Sequence, residues 1–379
     1  MRFPALILML YMLISGCNPS GSNGLKYNPG SSGNTKYAAR FDLYPEEDYT
    51  LIRVFNPWQN SKGTSYSYVL GEKHELLPDS LLTLPFIQTP VSRVIAMSTT
   101  HVAMISGLGE GSSIKGASGT PFIYDPDIRR RSEAGQLADV GYGQGINYEK
   151  VVSLEPDVVF LYGVEGNVTS IAEKLGELGI QVVYCAEYLE QDPLGKAEWI
   201  RFFAPFFCRE QQADVFFNRV DSSYQSLRSI ISRELLKPNV MIGLPWKDTW
   251  YVAGGRSYAS RLISDAGGNY LWQGNTSDEA IPLDLESVYS KAVNADVWIN
   301  PGVAHSIGEL LAFDERFGEL EVVRQAEIYN NNARMSPGGG NDYWESATLR
   351  PDLILADLIS VFHPELMRDH SMFYYRKLK

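Results

Sequence analysis

The chain has 379 residues, with 45 acidic against 33 basic side chains and a formal charge of −12. That balance excludes a nucleic-acid partner and general adhesion to anionic lipid, both of which need clustered cations. An apolar fraction of 44% is ordinary for a globular protein, while 7 Trp and 22 Tyr make a high aromatic load suited to a ligand site or an interaction surface.

Arg2 is followed by the apolar run FPALILMLYMLI and then by Ile14-Ser15-Gly16-Cys17. The run is too short for a spanning helix and fits the hydrophobic segment of a secretory signal. Small residues immediately before a cysteine match a lipoprotein signal, so residues 1–17 read as a signal whose Cys17 is acylated. Residues 18–36, rich in Gly, Ser, Asn and Pro, read as a flexible tether. The mature body is therefore expected in the cell envelope, exported, on the periplasmic side, and held to the membrane through its lipid alone.

About 340 residues remain, enough for two domains. YTLIRVF (49–55) and SYSYVLG (65–71) read as a hairpin. SRVIAMS (92–98) is a buried strand that ends at Ser98-Thr99-Thr100-His101, a polar cluster able to cap the helix HVAMISGLG. The run GLGEGSS (107–113) follows that helix and lacks the GxxxxGK[ST] pattern, so it reads as a C-cap and not as a phosphate loop. Further strands are VVFLY (158–162), QVVYC (181–185), NVMIGL (239–244) and VWIN (297–300). Strands alternating with helices give an α/β fold with parallel, doubly wound sheets.

Residues 209–236 form one helical pattern, with apolar residues at Ala213, Phe216, Phe217, Val220, Tyr224, Leu227, Ile230, Ile231 and Leu235. No Gly or Pro interrupts it, and at 1.5 Å per residue it would run roughly 40 Å. A rigid strut of that length separates residues 37–208 from residues 237–379 and predicts limited opening between two α/β lobes. Beyond Cys17 the cysteines are Cys185 and Cys208. An exported compartment permits a disulfide between them, with two buried free thiols as the alternative. There is no CxxC, no HExxH and no calcium loop, and His363 with His370 near the chain end is poor evidence for a metal, so no resident metal or cofactor is expected.

The chain also echoes itself. INYEKVVSLEPDVVFLYG (146–163) and IPLDLESVYSKAVNADVWINPG (281–302) each place a Glu near a helix start, Glu149 and Glu286, with a Val two residues later. Each then reaches an Asp-Val step that opens a strand, Asp157-Val158 and Asp296-Val297. One short helix feeding one buried strand, once per half, suggests two similar lobes with a cleft between them.

With RVIAMSTT…LGEGSSIKGASG, these two segments, the strut and VAGGRSYASRLISDAGGNYLW, nearly the whole mature body resembles the helix-linked periplasmic-binding proteins of ABC importers for ferric siderophores, haem and cobalamin. The resemblance implies two Rossmann-like lobes with parallel sheets joined by one long helix, a ligand cleft between them, and no enzymatic activity. It implies a permease dimer as partner, met by Glu149 and Glu286, and a monomeric protein that carries a small-molecule metal complex. The alternative for the two glutamates is a solvated place in a first helical turn, where the helix dipole favours them. Two stretches depart from the family: residues 37–91, read as an added hairpin, and the Gly-rich loop 330–346, read either as a specificity element or as a surface elaboration.

Ligands of open parallel sheets sit outside the carboxyl ends of the strands. The candidates there are Thr99, Thr100, His101, Tyr124 and Tyr162 in the first lobe, and Trp246, Trp250, Tyr251, Tyr258, Arg334, Tyr343 and Trp344 in the second. Aromatic rings would cover the flat face of a bulky chelate, and Arg334 would pair with its carboxylate or phosphate. His101 is either an axial metal ligand or, more commonly for a lone His at a helix start, a structural hydrogen-bonder. A chelatase-like enzyme on the same scaffold would need a base in the cleft with a carboxylate nearby, and His101 has no partner recognisable in the sequence. An adhesive lipoprotein would have no use for the glutamate pair.

Overall fold

A computed structural model describes residues 35–163, 167–231 and 236–379. The signal with Cys17, the tether up to residue 34, and Leu235 lie outside the described residues. No helix of the described chain is long and apolar enough to cross a membrane.

The body opens with β1 (Phe41–Pro45), β2 (Tyr49–Phe55), β3 (Ser65–Gly71) and β4 (Phe86–Gln88). The expected hairpin is β2–β3, but the extension is larger: β1 adds antiparallel to β2 and β4 adds parallel to β3. Its start is fastened to the helical layer by buried carboxylates. Glu198 accepts the main-chain N–H groups of Lys36, Tyr37 and Ala38, and Glu190 accepts those of Ala39 and Arg40.

The first lobe follows as β5 (Val94–Ala96), α1 (Thr99–Gly107), β6 (Ile114–Ala117), α2 (Pro126–Glu133), β7 (Ala138–Asp139), α3 (Tyr148–Ser153), β8 (Val158–Leu161), α4 (Asn167–Glu177) and β9 (Val182–Tyr184). Its sheet is parallel throughout, in the order β7-β6-β5-β8-β9. Two helices, α5 (Pro193–Phe207) and α6 (Glu210–Ser229), then pack on each other.

The second lobe comprises β10 (Asn239–Ile242), β11 (Trp250–Val252), α7 (Tyr258–Asp265), β12 (Asn269–Tyr270), β13 (Ile281–Leu283), α8 (Leu285–Ala292), β14 (Val297–Ile299), α9 (Ile307–Phe313), α10 (Glu321–Arg324), β15 (Ile328–Asn330), α11 (Pro351–Phe362) and β16 (Arg376–Lys377). Its sheet runs β12-β10-β14-β15-β16, parallel except for β16, while β11 and β13 make a separate antiparallel ribbon.

The sequence echo is a structural repeat. In the first lobe the winding direction reverses between β5 and β8, in the second between β10 and β14, and the repeated helix–strand units α3–β8 and α8–β14 supply the second strand of each pair. Asn147 caps α3 by accepting Lys150 N–H, and Asp284 caps α8 by accepting Ser287 N–H, which leaves Glu149 and Glu286 at the same place in the first turn. Val151 and Val288 are buried on the inner face. The repeated aspartates act alike. Asp157 accepts Ser92 and Arg93 N–H at 2.7 and 2.9 Å, and Asp296 accepts Asn239 N–H at 2.7 Å, each tying its strand to the start of the lobe's first strand.

The linking helix is shorter than expected. α6 has 20 residues, roughly 30 Å, and ends at Ser229. The hydroxyls of Ser226 and Ser229 turn back onto the carbonyls of Ser222 and Ser226, a local bond that competes with helix propagation, and Ile230 just beyond is exposed. Ala213, Phe217, Val220 and Tyr224 are buried as the stripe predicts. One hydrophobic core runs from the first sheet through Trp199, Phe203 and Phe206 of α5 and Phe217 of α6 into the second lobe, so the lobes share packing as well as a covalent link. Among the described residues neither cysteine is bridged: Cys185 is buried, whereas Cys208 is an exposed αL residue at the end of α5, contrary to the expectation of two buried thiols.

Candidate functional site

Ser98 accepts Thr100 N–H at 3.3 Å and caps α1 just past β5. Thr99 then faces the second lobe, and its hydroxyl donates to the Trp344 carbonyl at 3.3 Å. Asn300 and Gly302 follow β14, Asn331 and Asn332 follow β15, and Phe122 comes from the turn after β6. These residues, with Val303, His305, Met335 and Trp344, line a hollow of about 470 Å³ between the lobes. It sits at the carboxyl ends of both sheets, where open α/β folds hold their ligands, and it is of small-molecule size. Trp344 is 63% exposed and Phe122 57%, so two large apolar surfaces face this space with little protein covering them.

The hollow is shaped by loop 330–346, which crosses from the second lobe and seats on the first. A Cβ on Gly340 would stand 2.1 Å from the Phe122 carbonyl oxygen, and one on Gly338 would stand 2.2 Å from that of Pro121. Glycine is required at both positions because the two backbones approach too closely for any side chain. Glu345, 3% exposed, accepts the N–H groups of Tyr124 and Asp125 at 2.6 and 2.8 Å. Burial pushes its carboxyl up to about 7 against the opposing pull of those two bonds, and the charges of Asp342 and Asp125 add to the rise. The loop is thus an inter-lobe contact, which settles against a mere surface elaboration.

Several expected ligand residues lie elsewhere. Arg334 pairs through Nε with buried Asp342 at 2.6 Å and lies over the rings of Tyr124 and Phe373, so it organises the loop. Trp250 is 1% exposed, donates to the Ile242 carbonyl at 3.1 Å and packs on Trp298 and Phe317 in the core. Tyr343 is buried among Tyr374 and Tyr375. His101 is fully buried beside Glu187 and Phe203, because the first turn of α1 directs it into the lobe, and Thr100 is turned the same way by its 2.6 Å bond to Glu187. Tyr162, Trp246 and Tyr251 are exposed.

Tyr258 belongs to a second, wider hollow of about 1300 Å³ between the lobes, lined also by Arg40, Trp58, Tyr188, Arg256 and Arg261. Gln191 spans the lobes there, donating to Asp278 at 2.6 Å, and Lys196 lies 4.2 Å over the Tyr258 ring. Burial pulls that lysine down to about 8. The asparagines of the smaller hollow were not anticipated individually. Asn330 explains the run: its amide donates to the Gly302 and Ala304 carbonyls and so shapes the opposite wall. His305, also on that wall, is contacted at Nδ1 by Arg376, which can only donate, so that nitrogen serves as an acceptor.

Two wound α/β lobes, a helical link and a small-molecule hollow between the strand ends define a two-lobed solute-binding protein. Residues 94–332 match the family described as periplasmic binding protein, and the chain belongs to that family, with the helix-linked architecture of its class III members. An uncharacterized lipoprotein of Methanocaldococcus jannaschii is 26% identical over 404 aligned residues, covering 98% of this chain and 94% of its own. The vitamin B12-binding protein of Vibrio parahaemolyticus is 32% identical over 111 residues, 28% of this chain and 36% of its own. Among solved structures, a periplasmic binding protein from Veillonella parvula has a TM-score of 0.59 at 11% identity, covering 86% of this chain and 98% of that one. A periplasmic heme binding protein from Pseudomonas aeruginosa has a TM-score of 0.56 at 16% identity, covering 72% and 93%.

Proposed function

We propose that this protein is a lipid-anchored receptor of an ABC importer, capturing an iron complex, a ferric siderophore or haem, between its lobes. The carrying observation is the pair Glu149 and Glu286, two exposed carboxylates at the same position of the same helix in each lobe. The Glu286 side chain is 85% exposed, with only a 4.0 Å approach from Arg316, so it is available to an arginine on another protein. Two exposed ion pairs give little affinity by themselves, so docking also relies on shape. The cargo binds against Trp344, Phe122 and the asparagine wall, with an aromatic face and an amide face toward a chelate. Cobalamin is the second reading, favoured by the local match to a vitamin B12-binding protein. Acylation at Cys17 supplies the anchor.

The test is a fluorescence titration of the purified chain with haem, cobalamin and several ferric siderophores, using Trp344 and Trp246 as reporters. Strongly absorbing cargo in the hollow quenches them. A chain that responds to none of these ligands is not a receptor for them.

A further inference from the structure

A cluster that neither cargo binding nor docking uses lies behind Tyr162, at the carboxyl edge of the first sheet. His101 from α1, Cys185 just past β9 and Glu187 two residues on bring an imidazole nitrogen, a thiol sulfur and a carboxylate oxygen within 4.8 Å of one another. All three side chains are buried, at 0%, 0% and 1% exposure. The Thr100 hydroxyl donates to Glu187 Oε1, and His101 Nε2 stands 3.4 Å from the same atom. Yet both ring nitrogens of His101 and Oε2 of Glu187 have no hydrogen-bond partner among the described residues. Buried polar atoms of native proteins are almost always satisfied, so an unpaired ring nitrogen and an unpaired carboxylate oxygen beside a buried thiol indicate a shared partner. A water would suit the nitrogen and the oxygen but would gain little from a thiol, a weak hydrogen-bonding group. A borderline divalent cation takes nitrogen, sulfur and oxygen together.

We propose that His101, Cys185 and Glu187 form a buried site for a cation of the Zn²⁺ class, bound through imidazole, thiolate and carboxylate. Binding releases the Cys185 proton to solvent, and the resulting thiolate and carboxylate neutralise the cation's two charges, so no net charge is buried. Metal–ligand bonds of about 2.0–2.3 Å require the donors to close by roughly 1 Å, within reach of side-chain rotation. β9 is separated from β5 by β8, so the ion would tie the start of α1 to the segment beyond β9 across the intervening strand. His101, Cys185 and Glu187 line neither of the two hollows and are almost wholly buried, which makes this ion part of the lobe and not the cargo.

The test uses the full chain, stripped with chelator and titrated with Co²⁺ as a spectroscopic stand-in. One Co²⁺ per chain is expected, with a near-ultraviolet thiolate charge-transfer band, visible d–d bands, release of a proton, and displacement by Zn²⁺. Cys208→Ser should keep every one of these signals. Cys185→Ser should abolish the thiolate band and weaken binding by about 100-fold or more, beyond the usual cost of losing an outer-shell partner. Should Cys185→Ser fail to fold, a band retained when Cys17→Ser and Cys208→Ser are combined still assigns the sulfur to Cys185, the one cysteine left in that chain. Absence of stoichiometric uptake by the wild type, or a band lost in Cys208→Ser, would overturn the proposal and leave His101 and Glu187 as a buried ion pair.

Discussion

The carboxylate of Glu345, in the second lobe, accepts the main-chain N–H of Tyr124, in the first, at 2.6 Å, so closure of the cleft rests partly on one buried acid. An open cleft returns that carboxyl to water and to its ordinary value near 4.5, whereas the closed one holds it at about 7. The closed form therefore binds the proton more tightly. Its contribution is fully present below pH 4.5 and is lost as pH rises through about 7. Asp342 on the same loop and Asp125 opposite push in the same direction. The thermal midpoint of the wild type should fall across this window relative to Glu345→Gln, which has no proton to lose there. Parallel pH profiles for the two proteins would remove Glu345 from the closure equilibrium.

Gly340→Ala should lift the loop from the first lobe, because the new Cβ meets the Phe122 carbonyl, backbone that cannot rotate away. An overpacking cost of about 1–3 kcal/mol is expected in denaturant melts. Cargo affinity should drop with it, since Phe122 and Trp344 would no longer face one hollow. Small-angle scattering should show a more open particle; an unchanged profile with unchanged affinity would contradict this role for the loop.

Charge reversal at Glu149 or Glu286 separates transport from binding. Loss of an exposed pair costs up to about 1 kcal/mol and reversal adds repulsion, so each single variant should cut uptake by about tenfold and the double variant more. Fluorescence titration of the same purified variants should match the wild type. A comparable loss of cargo affinity would place these carboxylates in the cleft and end the docking assignment.

The two tryptophans Trp344 and Trp250 should respond oppositely to alanine. Trp344→Ala removes an exposed ring from the hollow and should weaken cargo binding by about 2 kcal/mol with little change in melting. Trp250→Ala empties a core position beside Trp298 and strands the Ile242 carbonyl, and should cost about 3–5 kcal/mol of stability. Circular-dichroism melts with parallel titrations distinguish the two, and a reversed pattern would exchange core for site.

Much of this architecture is local and was therefore legible in the sequence. The hairpin of β2 and β3, the capping side chain of Ser98, and the echoed Glu–Val and Asp–Val steps act within a few residues, so each lobe's wound α/β unit and both glutamates could be read from the chain. The repeat alone was enough to imply two lobes, because a helix and strand that recur with the same buried positions must pack in the same way.

Side-chain destinations were decided only in three dimensions. Trp246 and Trp250 are four residues apart in one motif, yet one is exposed and the other buried, because β11 turns Trp250 toward Trp298 and Phe317 from distant parts of the chain. Arg334 pairs with Asp342, eight residues on in its own loop, a partner the sequence reading did not name. His101 looked solitary until β9 carried Cys185 and Glu187 alongside. Periodicity determines which face of an element is apolar; only long-range packing determines what that face meets, and the cleft chemistry of this protein was set at that level.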